Sequence, residues 1–233
     1  QAGRHYAEHH QIPRDRNQIP LSISFAFVAT HNHFVLDRGG KVFNRSAPVI
    51  KLLKNATEDD HFALLGLLNS SVGMFWMRQV FHGKGQGGVG QESRAEWEEF
   101  REFTGTGLKK FPVAADPDQV VLKLSAQMDS LAQELGSYAP EACLGTVSSQ
   151  IKTALASAQQ EEANILQTMV ALQEELDWHA YRLYGLTDQA LCYSGELPLV
   201  KPGERAFEIA LARKMATGDV ESTWFTRHGS TPV

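Results

Sequence analysis

HFALLGLLNSSVGMFWMRQVFHGKGQGGVG, residues 61 to 90, is an apolar run that discharges into a loop of glycines carrying Lys84 and Gln86. Phe62, Leu65, Leu68, Val72, Phe75 and Trp76 fall largely on one face at helical spacing. The other sides are too apolar for a surface helix, so the spacing predicts a buried helix that delivers a polar loop to one place. Gly66 and Gly73 inside it cost about 1 kcal/mol each relative to alanine, which predicts close backbone packing at both. Thr57, Glu58, Asp59 and Asp60 supply its start, a hydroxyl for the orphan amides and carboxylates against the helix dipole.

Upstream, Leu21, Ile23, Phe25 and Phe27 alternate with Ser22, Ser24 and Ala26, the period of a strand with one buried face. His31 to Leu36 continues as a second extended piece, Asp37 to Gly40 supplies a turn, and Lys41 to Asn44 and Pro48 to Leu53 read as further short strands. Downstream, Arg94 to Phe103 has the pattern of a short amphipathic helix, and Pro112 stops any helical continuation of TGTGLKKFPV, residues 104 to 113. From Asp118 the spacing changes. Val121, Leu124, Met128, Leu131 and Leu135, then Ile151 through Leu183, recur at steps of three and four around the Gly136 to Gly145 connection. Two long helices with so short a link predict an antiparallel hairpin.

The expected fold class is α+β: a small, mostly antiparallel sheet packed on helices, followed by a long antiparallel helical hairpin. The expected organisation is a linker or severed element at 1–20, an α+β domain at 21–113, a hairpin spacer at 114–186, and a helical or irregular segment at 187–233.

The 233 residues carry a formal charge of −5. No run reaches the roughly 18 apolar residues of a membrane helix and no signal peptide is present, so the expected location is the cytoplasm. The two cysteines, Cys143 and Cys192, have neither disulfide-framework nor zinc spacing. A chain opening on Gln1 in polar, histidine-rich sequence is expected to be a piece of a longer protein. The charge is uneven. Residues 31–113 hold eleven Lys/Arg against nine Asp/Glu, whereas residues 114–186 hold three against ten. The strand-and-loop region is therefore slightly basic, which permits a nucleic-acid face.

Catalytic motifs are absent. His31 and His33 share a strand face but have no third ligand at fixed spacing, so no metal site is expected. The loop GKGQGGVG lacks the Ser or Thr of a phosphate-binding Walker loop after its lysine and has neither the order nor the acidic partner of a dinucleotide fold. No GxSxG, HExxH or spaced carboxylate pair occurs. The residues describe a binding or scaffolding module.

FVATHNHFVLDRGGKVFNRSAPVIKL, then ALLGLLNSSVGMFWMRQVFHGKG, LQEELDWHAYRLYGL and the closing GERAFEIALARKMATGDVESTWFTRHGSTPV, resemble the C-terminal region of PglX-type DNA methyltransferases of BREX and Pgl phage-defence systems. The ALLGLLNSS helix and GLKKFPV are also similar to specificity domains of Eco57I-like, TaqI-like and Type I restriction-modification methyltransferases. The resemblance implies a target-recognition segment of an enzyme that moves a methyl group from S-adenosylmethionine to adenine N6. It places the FxGxG-like cofactor loop and the NPPY-type motif, both missing here, in an N-terminal domain, so this piece alone is expected to be inert. Its expected partners are double-stranded DNA, the methyltransferase domain of the same protein and other phage-defence proteins, with no membrane. Arg45, Arg78, Lys84, Gln86, Gln91, Ser93 and Arg94 lie in or beside the loops such a core would present. Arginine suits guanine edges and glutamine adenine edges, and the rest suit phosphates. The alternative is a helical scaffold that docks other phage-defence components.

Overall fold

A computed structural model describes residues 20–39, 41–84, 99–114, 119–144 and 151–233. The described residues open with β1 (Ser22–Phe25), β2 (Val28–Ala29), β3 (Phe34–Asp37) and β4 (Val49–Ile50). β1 is the centre of an antiparallel sheet ordered β3-β1-β4, with Ser22 opposite Asp37, Phe25 opposite Phe34 and Ile23 opposite Ile50. Ile23 and Phe25 fill one face as their period predicts, but Ser22 and Ser24 are buried as well. All four residues of β1 are buried, so its serines mark no solvent side. Lys41 to Asn44, expected as a strand, takes no strand conformation.

The predicted buried helix is two helices, α1 (Glu58–Asn69) and α2 (Ser71–Val80). Thr57 and Asp60 form a capping box at the start of α1: the hydroxyl accepts the Asp60 N–H at 3.2 Å and the carboxylate accepts the Thr57 N–H at 2.7 Å. The Thr57 amide and hydroxyl, both donating to the Asp60 carboxylate, hold it below its usual range. Ser70 ends one helix and starts the other, its side chain accepting the Gly73 N–H at 3.0 Å while donating to the Leu67 carbonyl at 2.8 Å.

β5 (Arg101–Glu102) pairs antiparallel with β2, which corrects the helix expected over 94–103. Its main chain is taken up by partners remote in sequence, and residues 94–98 lie outside the described residues. A single turn of helix, α3 (Gly105–Leu108), follows. α4 (Gln119–Leu135), a 3₁₀ turn at Gly136–Tyr138, α5 (Pro140–Leu144) and α6 (Ile151–Leu183) build the hairpin, and α7 (Ala206–Thr217) and α8 (Trp224–His228) close the described chain. The architecture is α+β. Among the described residues no helix is long and apolar enough to cross a membrane.

One buried cluster unites the parts. Ile23, Phe25, Phe34 and Leu36 from the sheet meet Phe62, Leu65 and Leu68 of α1, Met77 of α2, Val121 of α4 and Leu176 of α6. α4 lies between α1 and α6 and packs extensively on both. After α6 the chain runs back along that helix: the Tyr193 N–H bonds Glu175 at 2.7 Å, the Val200 N–H reaches the Gln167 carbonyl at 3.4 Å and the Ala206 N–H reaches Glu174 at 3.3 Å. The start of α7 closes on Glu208, which is fully buried. Burial alone would raise its pKa. Donors from the Arg205 guanidinium, Trp224 Nε1 at 3.0 Å and the Gly203 N–H at 2.7 Å outweigh burial and bring it to about 2.

Gly66 shows the closeness of α1 to α4. A Cβ there would stand 2.3 Å from Ser125 Oγ and 2.6 Å from Val121 Cγ1, nearer than van der Waals contact allows. Gly66→Ala is therefore expected to destabilise by about 1–3 kcal/mol despite alanine's better helix propensity. Pairing it with Ser125→Ala should return part of the loss. Urea unfolding midpoints at unchanged slope are the measurement, and a Gly66→Ala protein as stable as its parent would contradict this packing.

Candidate nucleic-acid interface

α2 ends at Val80, and the four residues after it enter a small β structure. Gly83 bridges Arg101 antiparallel, the Lys84 N–H donates to the Phe100 carbonyl at 2.6 Å and the Glu102 N–H to the His82 carbonyl at 3.4 Å. β5 meets β2 on its other side. The limb leaving at Lys84 and the limb returning at Glu99 are thus paired as the stem of a hairpin. Gln86, Gln91, Ser93 and Arg94, expected to read DNA, lie between those limbs and outside the described residues.

The stem has two anchors. Phe103, almost wholly buried, donates its N–H to the Phe27 carbonyl at 2.8 Å and stacks edge-on against Phe81 at 5.3 Å between centroids. Arg101 donates from Nη1 to the carbonyls of Arg78 at 3.1 Å and Phe81 at 2.9 Å, satisfying acceptors that a helix end leaves open. The same guanidinium pairs with Glu99, and both side chains are largely buried. Arg101 therefore serves the fold.

Of the residues expected at a DNA surface, Arg45 and Lys84 are brought together. The Arg45 guanidinium stands 5.6 Å and Lys84 Nζ 5.5 Å from the centroid of the Phe27 ring. Contacts of this kind contribute about 0.5–1 kcal/mol when exposed. Arg45 sits on a turn closed by the Ala47 N–H to the Asn44 carbonyl at 3.1 Å and by the Ser46 N–H to Asn44 Oδ1 at 2.9 Å. The Phe27 N–H to the Ser46 carbonyl, 3.0 Å, fastens that turn beside the ring. Both cations are exposed. Lys84 also pairs with Glu102 at 3.3 Å, with both side chains partly in solvent. Arg78 is not at this ring. It lies in the last turn of α2, half-buried, where its positive charge suits the helix C-terminus. Sequence reasoning missed Phe27, Glu102 and Arg101. Phe27 reads as one more apolar strand residue, and the other two fall in a stretch whose pattern predicts a helix.

A second feature is a groove of about 280 Å³ between the His31–Val35 stretch, which leads into β3, and α1, α4 and α6. His31 and His33 stack at 5.8 Å, and burial together with the neighbouring imidazole lowers the His31 pKa. Phe34, Val35, Leu65, Met128 and Met169 give the groove its apolar lining. Several of its polar side chains are engaged: Asn69 with the Phe34 main chain, Ser125 with the Val121 carbonyl, Asp129 with Arg38. Among the described residues no group of three His, Cys, Asp or Glu side chains is placed to hold a metal.

The direction of α2, and so the position of the stem, is set from α6. Asp177 accepts the Ser71 N–H at 2.6 Å and a bond from Gln173 at 3.2 Å, while Ser71 Oγ and Tyr181 Oη lie 2.8 Å apart. Burial raises the Asp177 pKa to about 6, more than these hydrogen bonds lower it.

The chain is 44% identical to the adenine-specific methyltransferase PglX of Streptomyces coelicolor over 240 aligned residues, which cover 99% of this chain and 20% of that protein. The chain thus spans about a fifth of the curated relative it matches, and it corresponds to a segment of a PglX-type protein. Residues 169–233 match a family model described as a domain of unknown function, DUF7008. No solved structure matches the chain.

A folded pKa above the unfolded one means that Asp177 contributes most stability when protonated, below its ordinary value near 3.8, and that this share is lost as pH rises through about 6. Asp177→Asn keeps an acceptor for Ser71 and cannot titrate. Its stability, followed by denaturant unfolding between pH 4 and pH 7, is expected to lack the decline with pH seen in the parent. Parallel curves would show that Asp177 does not carry the effect.

Proposed function

We propose that this chain is the DNA-contacting, target-recognition segment of an S-adenosylmethionine-dependent adenine-N6 DNA methyltransferase of a restriction-modification or phage-defence system. The observation that carries the reading is the convergence of Arg45 and Lys84 on the Phe27 ring at the foot of the hairpin stem. A duplex reader needs cations that fix register on phosphates and a projecting element that reaches base edges. The stem supplies the first, and the limbs of residues 84 and 99 offer the second a fixed base. Arg94, Gln86, Gln91 and Ser93 are then the base-edge and phosphate contacts beyond it, and Arg78 joins through the helix that leads in. The matched relative, an adenine-specific methyltransferase, supports adenine as the methylated base.

In this reading the methyl donor is held by the part of such a protein that this chain does not span. The His31–Val35 groove makes a poor cradle for S-adenosylmethionine, since its lining is mainly apolar and Asn69, Ser125 and Asp129 are engaged within the fold. The methyltransferase domain is accordingly a partner, and α4 and α6 hold the recognition core in register with it. A second reading, a docking module for other phage-defence proteins, draws support from Val120, Ile151 and Leu166 on the hairpin, each more than two-fifths exposed.

The full chain should bind a mixed-sequence duplex weakly, with affinity falling steeply as salt rises. Arg45→Ala and Lys84→Ala should each weaken binding several-fold at low salt and reduce the logarithmic salt slope by about 1. Fluorescence anisotropy across a salt series is the measurement. Salt-insensitive binding, or variants indistinguishable from the parent, would end the assignment, whereas loss of partner capture on replacing Ile151 and Leu166 by serine would favour docking.

A further inference from the structure

The two cations over Phe27 differ in one respect. Lys84 faces the Glu102 carboxylate at 3.3 Å, whereas among the described residues no carboxylate lies within ion-pair distance of Arg45. Glu102 has no evident structural need for that partner. The main chain holds it in place, through pairing with β2 and through its N–H to the His82 carbonyl. The neighbouring Arg101 draws its own counter-charge from Glu99. Lys84 and Glu102 are each at least a third exposed, and pairs so exposed are held loosely. An anion arriving from solvent can therefore take the carboxylate's place on Lys84 without disturbing the stem.

We infer that Glu102 is a built-in competitor for the DNA phosphate at Lys84, occupying the lysine in the free protein and yielding to the phosphate on binding. This inference rests on the DNA-contact reading above and adds the group that sets its strength. A phosphodiester meeting Lys84 must displace one negative charge and then sit close to it, so affinity for any sequence is held down. Arg45 binds phosphate without this toll. The arrangement suppresses non-specific binding at one phosphate by placing a like charge beside it.

The test compares the full chain with Glu102→Gln, Lys84→Ala and the double variant, binding a mixed-sequence duplex by fluorescence anisotropy across a salt series. Thermal melting of each variant serves as the fold control. Glu102→Gln removes the charge and keeps the size, so it should melt like the parent. It should bind about three- to ten-fold tighter at low salt, with the gain shrinking as salt screens the site. Most of that gain should disappear in the Lys84→Ala background, because the competition acts through Lys84. An equal gain in both backgrounds would mean general repulsion of DNA and would overturn the inference. So would a Glu102→Gln protein that binds no more tightly than the parent. If Lys84→Ala alone leaves binding unchanged, the DNA-contact reading fails and this inference fails with it. If Lys84→Ala weakens binding but Glu102→Gln does not tighten it, only the inference falls.

Discussion

A helix interrupted inside a core leaves peptide groups that water cannot reach, and the break at Ser70, itself fully buried, makes this the governing constraint of the fold. The freed groups find partners at the break itself and in distant parts of the chain. The Leu67 carbonyl takes the Ser70 hydroxyl, the Leu68 carbonyl takes Asn32 Nδ2 at 2.7 Å and the Asn69 carbonyl takes Gln173 Nε2 at 3.3 Å. The Ser71 and Gly73 amides take Asp177 and Ser70. Asn69 adds a two-way bond to the Phe34 main chain, 2.9 Å in each direction, which covers the edge of β3 as another strand would. A satisfied bond of this kind contributes about 1 kcal/mol net, but a buried group left unpaired costs about 1–3 kcal/mol. The stretch before β3, α1, α2 and α6 are therefore bound to one another by what the break requires.

That junction also bears on where one of the cations at Phe27, Lys84, stands. α2 is fixed at Ser71 by Asp177 and at its other end by Arg101, which takes the carbonyls of Arg78 and Phe81. Between them lie Met77, fully buried, and Trp76, which meets Phe81 and Phe111 edge-on at 6.2 and 5.3 Å. A rod held at both ends and along one side can leave its C-terminal extension in only one place. Lys84 accordingly begins its limb from a rigid support, and a mobile side chain on a fixed base is what phosphate contact calls for.

The elements decided by local chemistry were legible in the sequence. The Thr57–Asp60 capping box, the buried face of α1, the close approach at Gly66 and the two long helices all follow from neighbours within a few turns. Where the sequence misled, the deciding partner was far away. Ser70 and Gly73 carry an N-cap signature inside an apolar run, but a run of that pattern is equally an unbroken helix until Asn32 and Asp177 are known to meet the break. Arg101 and Glu102 alternate in a segment rich in glutamate and aromatics, which fits an amphipathic helix as well as a strand. Val28 and His82 decide for the strand, and neither is visible from residue 101. At the candidate site the charged members were named from the sequence, but the ring that gathers Arg45 and Lys84 was not, because a phenylalanine in a strand pattern reads as core.

The formal charge of −5 is a weak argument about DNA once the acidic residues are traced. In the hairpin, Asp177 caps α2, Glu174 and Glu175 accept main-chain amides of the returning C-terminal segment, and Asp129 pairs with Arg38 at 2.7 Å. These carboxylates are acceptors that fasten one segment to another. Their charge acts locally, since at physiological ionic strength the screening length is about 8 Å. What a phosphate meets at the stem is set by charges within that distance. Two cations share one ring there, with a single described carboxylate paired to one of them. The balance between Lys84 and Glu102, rather than the sum over 233 residues, is the electrostatic quantity on which the proposed phosphate contact turns.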